Sequence, residues 1–169
     1  TKFSIRGFDV DLDAPWERYD YKATIAKHTG IDIATATLAE IEQKLKELSV
    51  DYDPKGWNDA RAIDTLWKYC RKKLGGPGFL VNVPKKMSPL AKSSPTDPFI
   101  AERFQPIIAG SEVGNGYSEL NDPIDHRARF TEQQAMRDAG DKEAQMADWE
   151  YVEALEHGMP PTCGFGVSE

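Results

Sequence analysis

The sequence predicts an α+β fold on a mainly antiparallel sheet. Short β-type runs and amphipathic helical stretches both recur, without the regular strand, helix, strand alternation that a parallel sheet requires. The 169 residues are 40% hydrophobic, with four Trp, seven Phe and six Tyr, enough for one sizeable core. The 29% of charged residues are dispersed rather than blocked, which argues for one ordered domain.

From the N-terminus, KFSIRGFDVDL sets Phe3, Ile5, Phe8, Val10 and Leu12 around Gly7 as a bent strand or hairpin that Pro15 ends. Tyr21 to His28 makes a short helix, with Gly30 where a left-handed C-cap belongs. TLAEIEQKLKEL is the clearest helix: Thr37 and Glu40 form a capping box, and Leu38, Ile41, Leu45 and Leu48 make one stripe. A second amphipathic helix runs from Trp57 to about Leu74 through Ala60, Ile63, Trp67 and Cys70, then stops at GGPG. These two helices pair as a unit.

Phe79 to Val83 is a short strand cut by Pro84, and KKMSPLAKSSPTDP is a loop by composition. RFQPIIAGSEVGNGYSEL reads as two strands or one strongly bent one, with Gly110, Gly114 and Gly116 at turns or bulges. Asp122 and Pro123 suit the N-cap and first position of a helix that carries Asp125 in its first turn and runs to about Ala139-Gly140. Asp148 and Gly158 bracket a last helix, and TCGFGVSE is a glycine-spaced strand.

A net charge of −7 argues against holding nucleic acid by bulk charge and confines any such contact to a local patch. No apolar run approaches the roughly 20 residues of a membrane span, and the N-terminus lacks signal-peptide order, so no membrane association and a cytoplasmic place are expected. Cys70 and Cys163 lie far apart without ligand spacing, which indicates neither a disulfide framework nor a zinc site. His28, His126 and His157 sit near helix ends, where capping or exposure is the expectation. GGPG and GFG lack the Lys of a phosphate-binding loop and read as turns.

The segment GNGYSELNDP poses the functional question. If extended, it sends Asn115, Tyr117 and Glu119 to one face and Gly116 and Ser118 to the other. A carboxylate on an edge strand is ordinarily a solvated surface acid. An amide, an aromatic wall and an anion on one face, however, match a cationic ligand with an apolar stem. Once buried, that carboxylate needs a partner cation, from the protein or from a ligand. Glu112 would face the opposite side in unbroken geometry, and a bulge at Gly114 would turn it back. It reads either as a surface acid or as a ligand for Mg²⁺ and phosphate.

SPLAK (Ser88 to Lys92), ERF (Glu102 to Phe104), GNGYSELNDPIDHRARF (Gly114 to Phe130) and YVEALEHGMPPTCGFG (Tyr151 to Gly166) together resemble the class II lysyl-tRNA synthetases. The likeness falls on the part of the catalytic domain between that family's second and third signature motifs. It implies a partial catalytic domain over 1–169 with a helical insertion at 37–75, on an antiparallel sheet flanked by helices. The implied chemistry joins lysine and ATP, with Mg²⁺, into lysyl-adenylate and then lysyl-tRNA(Lys), in a homodimeric full enzyme. Carried over by resemblance, Glu119 receives the lysine ε-ammonium, Tyr117 packs on its stem and Asn115 orients the amino acid. Glu112 and Gln105 fall on the ATP and Mg²⁺ positions, and no residue is singled out as catalytic.

The chain departs from the family pattern in three ways. Gln105 stands where a second acidic metal ligand is usual, and an amide brings no charge. Ser168 replaces an apolar residue, and the Arg that follows Glu169 in the third motif is not within the sequence. Nor is the second motif, with its phosphate-clamping Arg. A fragment that does not form lysyl-adenylate alone is the expectation. Two alternatives stand beside it: a lysine-activating paralogue that modifies a translation factor, and a non-catalytic binding module of synthetase descent.

Overall fold

The computed structural model describes residues 1–54 and 56–167, and the expectations placed on Ser168 and Glu169 lie outside them. The N-terminal alternation is a hairpin: β1 (Lys2–Ile5) pairs antiparallel with β2 (Phe8–Asp11). Arg6 and Gly7 turn it, both at positive φ (53° and 81°), as a tight two-residue hairpin turn demands.

The main sheet runs β3 (Glu17–Asp20), β4 (Gly78–Val81), β5 (Arg103–Ile108), β7 (Gly114–Ser118) and β8 (Cys163–Val167), with β6 (Ser111–Glu112) pairing the far end of β5. The β3 and β4 pair is parallel and every other pair is antiparallel, as the α+β reading requires. The stretch read as two strands or one is three. Ala109 and Gly110, at φ 48° and 72°, turn β5 into β6.

Helix α1 (Tyr21–Thr29) starts on the Asp20 side chain and ends at Gly30, φ 76°, whose N–H reaches Ala26 O. In α2 (Leu38–Glu47) both halves of the Thr37 and Glu40 capping box form. Helix α3 (Asp59–Arg71) begins two residues later than Trp57, because the Asn58 side chain accepts from the Arg61 N–H and caps it. Trp57 instead stacks on Tyr52 at 4.0 Å. The apolar faces of these helices meet one side of the sheet, and Ile25, Ile41, Leu45, Ile63, Leu66, Leu80 and Ile107 form one continuous core. The 37–75 unit therefore shares its core with the sheet.

The other side of the sheet carries a ring ladder: Trp16 on Phe79 at 4.8 Å, Phe79 edge-on to Phe104 at 5.9 Å, and Phe104 on Phe165 at 5.5 Å. Helices α4 (Pro123–Asp138) and α5 (Trp149–Glu156) pack together beyond β7, with Asp122 and Asp148 as their N-caps. The Pro- and Ser-rich loop is pinned through residue bridges at Pro84, Ala91 and Ser93 and contains one 3₁₀ turn, Lys85–Met87. The buried Arg129 of α4 holds it, donating to Ala91 O (2.7 Å) and Ser93 Oγ (3.0 Å) while its fork grips Asp125. No described helix is long and apolar enough to cross a membrane.

Candidate functional site

The register of the sheet builds the site. Ile107 faces Glu112 and Arg103 faces Tyr117, so four steps along β5 are matched by five along β6 and β7. One extra residue lies at Val113 and Gly114, the bulge that the sequence called for. It turns Glu112 onto the same side as Gln105. Gly114 and Gly116 themselves keep negative φ, so their glycine character serves close approach rather than a turn. A Cβ on Gly116 would meet the Phe104 ring at 2.7 Å, and one on Gly114 would meet Gly166 O at 2.8 Å.

With glycines on the ladder side, Asn115 and Tyr117 face the other way and line a cleft of about 350 Å³. Arg103 lies between them across the strand pair. Its Nε donates to Asn115 Oδ1 (2.8 Å), and its Nη1 donates to Met87 O (3.0 Å) and Ser88 Oγ (2.8 Å). The Asn115 amide is thereby fixed with its carbonyl oxygen engaged and its NH₂ free of that contact. The opposite wall comes from Gln133 and Met136 of α4 and from Asp141, Glu143, Ala144 and Gln145. Arg61 of α3 pins that wall, its guanidinium on Asp141 at 2.5 Å and also on Glu143. Burial of Asp141 is outweighed by these bonds, led by Arg61, and its pKa falls below the usual carboxylate value.

Glu119 lies just past the end of β7, bridged to Ala91, with its N–H on Thr162 O at 2.9 Å. No Lys or Arg among the described residues forms an ion pair with its carboxylate. Burial raises its pKa. Burial also raises the pKa of Tyr117 and of Tyr151, and in both the Glu119 charge adds to the shift, so the two phenols flank this anion. Glu119 stands at the end of the row rather than on the cleft walls that Asn115 and Tyr117 form.

Gln105 and Glu112 do come together, but beneath α3 and with partners of their own. Glu112 Oε1 accepts from Trp67 Nε1 (2.7 Å), and Oε2 accepts from Arg71 Nη1 (2.9 Å) and Gln105 Nε2 (3.2 Å). Mg²⁺ needs several oxygens in octahedral array and favours uncommitted carboxylates. Here both carboxylate oxygens are engaged and a guanidinium already supplies the positive charge, so the set as arranged does not fit Mg²⁺. Among the described residues no group of three or more His, Cys, Asp or Glu could hold a metal.

Arg103 and Tyr151 were not among the residues that the sequence singled out. Only the β5 and β7 register puts Arg103 beside Asn115, and only the packing of α5 on α4 brings Tyr151 to Glu119. His126 differs from its expectation: it is buried, edge-on to Phe130 at 4.4 Å and 5.2 Å from the Tyr151 ring, and burial lowers its pKa. Cys70 is buried and its thiol is pushed up to about 11 by that burial, which leaves it unreactive at neutral pH.

Residues 2–168 match the family described as tRNA synthetases class II (D, K and N). The chain is 41% identical over 167 residues to a lysine–tRNA ligase of Thermosipho africanus, covering 99% of this chain and 33% of that protein. It is 40% identical over 168 residues to one from Porphyromonas gingivalis (99% and 29%) and 42% identical over 171 residues to one from Roseiflexus castenholzii (99% and 34%). The chain thus spans about a third of the length of these curated relatives.

Proposed function

The chain belongs to the class II tRNA synthetases (D, K and N), and from that premise we propose that it carries the side-chain pocket for lysine in a lysine–tRNA ligase. The observation that supports this reading is the Glu119 carboxylate, partly buried between Tyr117 and Tyr151 without an ion-pair partner among the described residues. Of the three amino acids that the family handles, Asp is repelled by such a carboxylate and Asn leaves its charge unmatched. Lysine brings an ammonium to it and an apolar stem to Tyr117. An ammonium-to-carboxylate hydrogen bond in a partly dry site is stronger than a neutral one.

In this reading Arg103 holds Asn115 so that its amide NH₂ meets the amino acid. In the longer protein the lysine carboxylate attacks the α-phosphorus of ATP and the bond to pyrophosphate breaks, giving lysyl-adenylate. The lysyl group then passes to tRNA(Lys), and its bond to AMP breaks so that AMP leaves. Positioning and charge are the chief demands of such chemistry. The longer protein works in the cytoplasm as a homodimer, and ATP brings Mg²⁺ with it.

The test is calorimetric titration of the chain with L-lysine and with norleucine, which keeps the stem and lacks the ammonium. Lysine should bind, and norleucine at least about tenfold more weakly, since it leaves a partly buried carboxylate unpaired. Equal heats for the two would sink the reading. The binding-module alternative draws on the committed Glu112 and Gln105 pair, and absence of any lysine heat would favour it.

A further inference from the structure

We infer that Arg71 takes the place of a divalent cation at the Gln105 and Glu112 pair, so that this centre is closed by an internal guanidinium and binds no metal of its own. This rests on the ion-pair geometry and stands apart from the lysine-pocket reading.

One carboxylate meets one guanidinium, Glu112 Oε2 to Arg71 Nη1 at 2.9 Å, and the pair is neutral. Its remaining oxygen is held by Trp67 Nε1 at 2.7 Å. Trp67 and Arg71 lie four residues apart on α3 and so project from one face of the helix onto the sheet. Trp67 is locked in turn by Tyr21, stacked on it at 5.1 Å. The buried Gln105 presents a donor to Glu112, because its Nε2 lies 3.2 Å from Oε2. Turning the amide over would set its oxygen against the carboxylate. A metal at this point would have to displace Arg71, break the indole bond and reverse the amide. Arg103 adds a second guanidinium whose charge interacts with Glu112. A glutamate at 105 would restore the second carboxylate, and removal of Arg71 would strip the pair of its guanidinium while the Trp67 indole stays on Glu112 Oε1.

Mn²⁺ serves as the probe on the purified chain, followed by the free-ion resonance signal and by paramagnetic broadening of the Trp67 indole N–H, assigned with Trp67→Phe. The unaltered chain should show no selective broadening of that signal. Gln105→Glu combined with Arg71→Gln should bind Mn²⁺ at least about tenfold more tightly and broaden Trp67, since two carboxylates without the Arg71 guanidinium then face the ion. Selective broadening in the unaltered chain that Glu112→Gln relieves would overturn the inference. So would a double variant that melts cooperatively yet gains no Mn²⁺ site. Should the double variant not fold, Gln105→Glu alone decides: with Arg71 in place it should remain blind to Mn²⁺, and broadening there would overturn the inference. Failure of the lysine pocket would register in lysine calorimetry and leave these signals untouched.

Discussion

Glu119→Gln should move stability and lysine affinity in opposite directions. The carboxylate has no cation partner among the described residues, and burial raises its pKa. An acid with a higher pKa folded than unfolded binds protons more readily in the folded state. Its ionisation therefore lowers stability as pH rises from the unfolded value to the folded one, and the whole cost stands above the folded value. Glutamine keeps the shape and removes that cost. Because the group is partly exposed, the gain is small, at most about 0.5 kcal/mol. Lysine loses a charge-assisted bond of about 1.5–3 kcal/mol, which weakens Kd about 10- to 150-fold. Urea unfolding and lysine calorimetry on both chains measure the two effects. Acidification through the raised Glu119 pKa should weaken lysine binding to the unaltered chain and leave the variant's residual binding flat. A variant destabilised by more than about 1 kcal/mol would mean that Glu119 has an internal partner and does not await the ammonium of a ligand.

Three further outcomes can be checked by urea or thermal unfolding. Gly114→Ala should lose about 1–3 kcal/mol, because its Cβ would meet the rigid Gly166 carbonyl at 2.8 Å. Asp141→Asn should lose about 1.5–3 kcal/mol at pH 7 by weakening its bonds to Arg61. The Asp141 pKa is depressed, so that difference should vanish as pH falls through its folded value, below the ordinary 3.8. Thr37→Ala should lose about 1 kcal/mol with the capping box of α2.

Most elements were legible because their signals are local. A capping box, an Asx cap before Pro123 and a Gly30 C-cap each act within four residues, and all form as read. The start of α3 slipped because Asn58 competes as a cap against the apolar pull of Trp57. In the candidate site, the alternation of Asn115 and Tyr117 needed only the period of a strand. What stands beside Asn115, Glu119 and Glu112 could not be read, since Arg103, Tyr151 and Arg71 arrive from β5, α5 and α3 through tertiary register. His126 misled because a helix-end position says nothing about which face a second helix will cover.

The glycines of β7 divide its labour between two sides. All the steric demand falls on Gly114 and Gly116, which the ring ladder presses against, while the side chains at 115 and 117 look into open cleft. A library randomised at 115, 117 and 119 would therefore sample new ligand chemistries on an unaltered frame, with the Arg103 fork to be re-matched at 115. Changes at the even positions would disturb the frame before any ligand was met. In this strand, recognition can be rewritten without renegotiating the fold.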